Sequence, residues 1–356
     1  MLYALTVAGL TNQFSQYNPG GQAPRFLCDT PDYGDSPSRE SDVRAAIGAI
    51  LANKYKEGPS TPEVPVMKQV LDHWGNWLKD ATTTSPPDAT TFQAHAKIAL
   101  NVIAGAVARQ DKHVLALIPT LHQAASSPHP NGEILARSLG LLVKQNDLLT
   151  PDNHAVVKRF HKQWAYSHLT KPLLQPAQPG GSDQDALTAA TRYRVAVLSV
   201  ISNCPFSVYQ DDLSLLIRLL VTALAASSGR TGVSDDGETT WSQTAAALEV
   251  LVEILTHEPG ALTGYLREVI GGVTGVYQEC SSSSSQKKEK WGAARTALCR
   301  RLALQVLGAI PSRFEERHVR AYAPPTQRML AGACGDPVRR VREVARAARA
   351  SWARVD

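Results

Sequence analysis

The sequence predicts an all-α protein organised as an α-solenoid of antiparallel helix pairs. Three observations predict it. Apolar residues recur at i, i+3, i+4 and i+7, the period of an amphipathic helix, and strand-like alternation is nearly absent. Hydrophobic residues make up 43% of the 356-residue chain but aromatics only 6%, the rest being mainly Ala, Leu and Val. That balance favours helices over a β-sandwich or barrel. Finally, Pro205, Pro259 and Pro311 stand 54 and 52 residues apart, each after one long apolar-periodic segment and before another. This is the rhythm of a helix–turn–helix repeat, enlarged by loops beyond the ~40–47 residues of a compact unit.

Taken in order, the first segment, MLYALTVAGLTNQF, reads as a helix. No Lys or Arg precedes Arg25 and no small-residue cleavage site follows, so a signal peptide is not expected. Pro19–Arg39 is polar and Pro-rich and reads as loop, so residues 1–40 are expected to be a helix followed by a Pro/Gly-rich loop. The solenoid is expected over 41–356, in about six helix pairs. Its stripes are Val43, Ala46, Ile47 and Ile50; then Met67, Val70, Leu71, Trp74 and Leu78; then Ala96, Ala99, Leu100, Ile103 and Val107. Val114, Leu117, Ile118, Leu121 and Ala125 follow. Leu213, Leu216, Ile217, Leu220 and Leu224 form another stripe, as do Leu262, Tyr265, Leu266, Val269 and Val273. Flexible insertions are expected near 172–185, 227–239 and 281–290, where Pro, Gly, Ser and charged residues replace the periodic pattern.

The last segment, DPVRRVREVARAARASW, is the most informative. Asp336 is expected to cap a helix and Pro337 to occupy its first position, where a missing N–H costs nothing. Val338, Val341, Ala345, Ala348 and Trp352 then form an apolar stripe. Arg339, Arg342, Arg346 and Arg349 form a second stripe, turned about 110° from the first at ~100° per residue. Asp336 followed by Val341 and Arg342 is the pattern of the inner helix of a HEAT repeat, in a HEAT/armadillo-like superhelix. In that pattern Asp caps, Val packs inward and Arg reaches the Asp of a neighbouring repeat. The arginine stripe has two readings: the solvated flank of a terminal capping repeat, or a docking surface for an acidic partner.

Several long segments resemble the C-terminal region of the methyl-methanesulfonate-sensitivity protein nineteen family. They are LEVLVEILTHEPGALTGYLREVIGGV, WGAARTALCRRLALQVLGAIPSRFEERHVRAYAPPTQRML and the closing helix, whose Val-Arg-x-x-Ala-x-x-Ala-x-x-x-Trp pattern is similar to the family's end. AAIGAILANKYKEG and LLTPDNHAVVKRFHKQW resemble earlier parts, so the resemblance spans Asp42 to Arg354 and is most specific toward the end. It implies a HEAT-repeat adaptor of the cytosolic iron–sulfur assembly targeting complex. Such an adaptor brings apo-proteins of DNA repair, replication and transcription to the assembly machinery, in nucleus and cytoplasm. It also implies protein partners among the other targeting subunits, docking borne by the C-terminal repeats, and a parent protein much longer than this chain. The serine-rich insertion and the Pro-rich loops depart from the family's compact pattern.

Read without the resemblance, the residues exclude several chemistries. No G-x-S-x-G, Walker loop, G-x-G-x-x-G after a strand, H-E-x-x-H or C-x-x-C is present. The expectation is therefore a non-catalytic protein with no cofactor and no metal. Cys28, Cys204, Cys280, Cys299 and Cys334 are scattered and odd in number, which points away from a disulfide framework and toward a reducing compartment. They read as packed or incidental, Cys204 and Cys299 at core-like helical positions. Glu315 and His318 have the E-x-x-H spacing of a di-iron bundle but lack the second pair and carboxylates it requires. Gly271, Gly272 and Gly275 inside an apolar helix read as close helix packing. His161, Lys162 and Gln163 surround Trp164, which reads as a helix end with the Trp packed inward or a partner contact.

No apolar run approaches the ~20 residues of a membrane span. Net charge is +5, but residues 286–356 hold 16 basic and 6 acidic residues, leaving 21 basic and 26 acidic before them. Only the C-terminal fifth is basic. Trp352 falls on the apolar side of its helix, so direct nucleic-acid binding is not expected. A transport-receptor-like, karyopherin-like solenoid is the alternative, and the basic end counts against it.

Overall fold

Helices form where the apolar stripes run. The structure, a computed structural model, describes residues 28, 37–55, 65–144, 157–174, 183–227, 237–282 and 293–355. Among the described residues all regular secondary structure is helical. The first segment of the sequence, most of Pro19–Arg39, and residues 175–182, 228–236 and 283–290 of the insertions lie outside the described residues. The remainder of each insertion belongs to flanking helices or helical turns, so helix reaches further into 172–185, 227–239 and 281–290 than composition suggests.

The chain forms two compact units, Met1–Cys204 and Pro205–Asp356. Their boundary falls at the first of the three evenly spaced prolines. In the first unit the long helices are α1 (Pro37–Lys54), α2 (Val66–Thr83), α3 (Ala89–Ala108), α4 (His113–Ser126), α5 (Pro130–Ser138) and α7 (Asp183–Ile201). Between α5 and α7 lies α6 (His161–Ala165), which continues through a wide turn at Tyr166–Thr170. α1 packs on α3, α3 on α5 and α5 on α7, forming one row; α2 and α4 pair in a second row. This is the repeat arrangement expected, each helix burying its stripe against neighbours in sequence.

The second unit repeats the plan with α8 (Leu213–Ser227), α9 (Gly237–His257), α10 (Leu266–Ser282), α11 (Ala293–Ala309), α12 (Ala323–Ala333) and α13 (Arg339–Trp352). α9, α11 and α13 pack in one row, and α8 packs on α10. α10 closes on α11, and α12 on α13. Pro205, Pro259 and Pro311 each follow a helix of the first row, in or beside a 3-10 turn leading to the next pair.

The stripes of α2, α3, α4 and α8 are buried as expected, with Met67, Trp74, Leu100, Ile103 and Leu121 at the centre. Trp77 stacks on Phe92 at 5.7 Å and meets Trp74 edge-on at 5.8 Å, joining α2 to α3. Two stripes depart from expectation. In α1, Ile47 and Ile50 are buried as expected, but Val43 is 49% exposed, and the buried face also takes in Ala45, Gly48, Ala49 and Ala52. The cause is a close crossing: a Cβ at Gly105 of α3 would stand 2.2 Å from the Ala49 carbonyl oxygen. Only small residues admit two backbones that close, so size decides which residues stand at the crossing. In the other stripe, Leu262 and Tyr265 belong to a 3-10 segment, Pro259–Tyr265, and α10 starts only at Leu266.

Polar side chains tie successive repeats together by donating to carbonyls at helix ends and in the turns between helices. Asn131 Nδ2 donates to the carbonyls of Ala81 (3.0 Å) and Pro87 (3.1 Å). Arg192 donates to those of His129 (2.8 Å) and Pro128 (2.9 Å). Ser199 Oγ donates to Ala136 (3.0 Å), and Arg109 bonds the Tyr55 carbonyl.

Candidate functional site

α13 positions the predicted arginine stripe. Val341, Ala345, Ala348 and Trp352 are buried, so one side of the helix is fixed against the core. Trp352 is fully buried, and its Nε1–H donates to the Leu307 carbonyl of α11 at 2.8 Å. Its own carbonyl accepts from Gln327 Nε2 of α12 at 2.8 Å. A Cβ at Gly308 would stand 3.1 Å from that of Ala348, so α11 and α13 approach closely there.

With that face locked, Arg339, Arg346 and Arg349 point outward and are exposed. Arg339 pairs with Glu343 one turn on, at 2.9 Å, a solvent-exposed pair of small energetic weight. Arg342 is half-buried: its Nη1 donates to the carbonyls of Asp336 (2.7 Å) and Pro337 (3.0 Å). The structure thus brings the four predicted arginines onto one flank, three reaching solvent and one braced against the preceding turn. Arg340, which sequence reasoning left out, is exposed on the opposite flank.

Asp336 does something other than expected. The helix begins at Arg339 with Val338 in the cap position, so neither Asp336 nor Pro337 holds its predicted place. The Asp336 carboxylate accepts the Val338 N–H (2.8 Å) and a forked pair of bonds from Arg300 of α11, Nε at 2.8 Å and Nη2 at 3.3 Å. Both side chains are almost completely buried, at 6% and 2% exposure. The inter-repeat Asp–Arg link therefore exists, but its arginine is Arg300 from the preceding repeat, not Arg342.

Elsewhere the candidates separate. Glu315 lies exposed and paired with Arg317 at 2.6 Å, while His318 is bonded to it only through backbone. Among the described residues no group of three or more His, Cys, Asp or Glu side chains could hold a metal. None of the five cysteines forms a disulfide. Cys204 lies in the turn after α7, not within a helix; burial pushes its thiol up to about 12, against the pull of Lys162. Cys280 and Cys299, read as unrelated in sequence, hydrogen-bond to each other between α10 and α11, and that bond together with burial raises the Cys280 thiol. Both are 0% exposed, so this is a packed pair. Of the α10 glycines, Gly272 faces Leu224 closely, as expected, but Gly271 faces open space.

Trp164 is the penultimate residue of α6, just before the wide turn at Tyr166–Thr170, and it is half-buried against His168, with ring centroids 5.1 Å apart. The exposed aromatic of that segment is Phe160, at 66%. No periodicity flags it; the only sequence signal is the Lys158–Arg159 pair beside it. No helix of the described residues is long and apolar enough to cross a membrane.

Comparison with known proteins adds one positive finding. The MMS19 C-terminal family model, described as "RNAPII transcription regulator C-terminal", matches residues 7–311. The match ends before α12 and α13; of the closing stretch, where the sequence resemblance is expected to be most specific, it takes in the residues up to 311. No curated protein matches the chain.

Proposed function

This chain belongs to the RNAPII transcription regulator C-terminal family, and from that premise we propose that it is a non-catalytic adaptor. In this reading it serves the cytosolic iron–sulfur assembly targeting complex, in cytoplasm and nucleus. Its work is to hold apo-proteins of DNA repair, replication and transcription while clusters, the cargo of the complex, are delivered to them. The observation that carries the reading is the row-on-row stacking of helix pairs within each unit, a construction that multiplies surface for protein contacts.

The docking surface proposed is the α13 flank of Arg339, Arg342, Arg346 and Arg349, facing an acidic subunit or client. Arginine suits that role because its planar fork meets carboxylates with two parallel bonds. Affinity capture on the full chain, scored for targeting-complex subunits, tests it. Charge reversal of Arg339, Arg346 and Arg349 should abolish capture of at least one subunit, while thermal unfolding stays unchanged because all three are exposed. Undiminished capture of every subunit would end the role of the stripe; no capture by the wild-type chain would end the adaptor assignment.

A further inference from the structure

We propose that the surface around Phe160 docks an acidic peptide segment carrying a large apolar side chain. The proposal deepens the adaptor reading and rests on it for the need of a protein partner.

Phe160 is the most exposed of the large hydrophobic side chains among the described residues, at 66%. It also stands in the left-handed region, φ 68°, which a bulky side chain rarely occupies. The backbone around it is fixed. The N–H of Lys158 donates to the carbonyl of Ala108 at the end of α3, at 2.9 Å. Gln110, with φ 57° the other non-glycine residue of positive φ in the described chain, donates from Nε2 to the Arg159 carbonyl at 3.3 Å. The Phe160 carbonyl accepts the first bond of α6, from the Trp164 N–H at 2.9 Å. A strained conformation is thus over-determined by its surroundings, and its result is to hold an aromatic ring in water.

The surroundings of the ring define what fits it. The Arg159 guanidinium lies 4.7 Å from the ring centroid. Lys158 and Arg159 beside the ring are exposed, Lys162 is half-buried and donates to the Asn203 carbonyl at 2.7 Å, and residues 157–174 contain no Asp or Glu. Asp111, in the turn before α4, is 7% exposed and already held by Arg109 and His113. A partner segment therefore meets positive charge around one apolar anchor, which calls for carboxylates flanking an apolar side chain. Single-stranded nucleic acid fits less well. Binders of that kind offer successive stacking platforms, whereas here one face of the single exposed ring lies under Arg159 and Trp164 is half-buried.

The test is fluorescence anisotropy of the full chain with a labelled peptide of glutamates around a central leucine pair. Saturable binding is expected, absent for the same peptide with lysines in place of glutamates. Phe160→Gly removes the ring while favouring the left-handed backbone, and should weaken binding at least about tenfold, the loss typical of an aromatic anchor. Arg159→Glu should do the same. Charge reversal of Arg346 and Arg349 should leave it unchanged. Wild-type affinity in Phe160→Gly would overturn the proposal, as would a labelled oligothymidylate that binds more tightly and is lost with the same variants. Failure of the peptide with capture of targeting subunits intact would sink this inference alone. Failure of all capture with peptide binding intact would sink the adaptor assignment and leave this surface standing.

Discussion

Asp336 and Arg300 show why single residues matter in a stacked fold. The pair is buried, forked and supplemented by the Val338 N–H and by an Arg300 bond to the Cys280 carbonyl at 3.4 Å. Removing one partner leaves the other charge without compensation in a region of low dielectric, which costs about 3–5 kcal/mol. Asp336→Ala should therefore lower stability by about that amount in chemical denaturation, and an unchanged midpoint would refute the structural role. His122 makes a second residue-scale prediction. Its Nε2–H donates to the Leu169 carbonyl at 2.7 Å, and burial holds its pKa below the ordinary 6.5 against that bond's upward pull. His161 is lowered as well, by burial and by Lys162. Both take up protons less readily in the folded chain than in the unfolded one, so below pH ~6.5 the unfolded chain binds more protons and stability falls as the pH falls. The melting temperature of residues 1–204 should drop between pH 7.5 and 5.5, and less so in His122→Gln, which keeps a donor for Leu169. Glu249 in the other unit runs the opposite way, because burial raises its pKa against the pull of Arg301. None of these partners was legible beforehand. Asp336 was singled out correctly, but Arg300 lies 36 residues before it, and only the stacking of α11 on α13 brings the two together.

Helices were legible wherever large apolar residues make the contact, as in Met67–Leu78 of α2, because burial and periodicity coincide there. They were misread where contact is made by absence. In α1 the stripe held Ile47 and Ile50, which are buried, but also Val43, which is exposed, and it missed Ala45, Ala49 and Ala52, at the crossing where Gly48 and Gly105 let α1 and α3 touch. That distinction gives a paired prediction. In an open helix position Gly→Ala stabilises by roughly 0.5–1 kcal/mol through backbone entropy. Gly271→Ala meets nothing within 4 Å and should show that gain. Gly105→Ala would drive a methyl to 2.2 Å from the Ala49 carbonyl oxygen and 2.9 Å from the Ala52 Cβ, and should destabilise by about 1–3 kcal/mol as α1 is forced off α3. Equal effects at the two glycines, measured by urea unfolding, would contradict the packing. The arginine flank of α13 belongs to this scale too. Its geometry followed from the period alone, because Trp352 and Val341 fix the opposite face, but what meets the flank could not be read from a single helix.

At the scale of the molecule, a chain of repeats in which each helix packs mainly on its sequence neighbours should respond locally to injury. Asp336→Ala removes a link between α11 and α13, so its effect should spread through the contacts those helices share with α9, α10 and α12. Amide hydrogen exchange on the full chain measures this directly, since protection reports the opening free energy of each segment. The variant should lose protection over α10, α11, α12 and α13, graded with distance from Asp336. Gly105→Ala should instead open α1, α3 and α5, which sit in the unit Met1–Cys204. Protection of α2 through α5 should be unmoved by Asp336→Ala, just as α11 and α13 should be unmoved by Gly105→Ala. Loss of protection along the whole chain from either substitution would mean that the two units open as one cooperative block, and the nearest-neighbour account of this fold would have to be abandoned. Local loss would mean instead that partner surfaces on the two units, the α13 flank and the Phe160 knob, can be altered one at a time without unfolding the other.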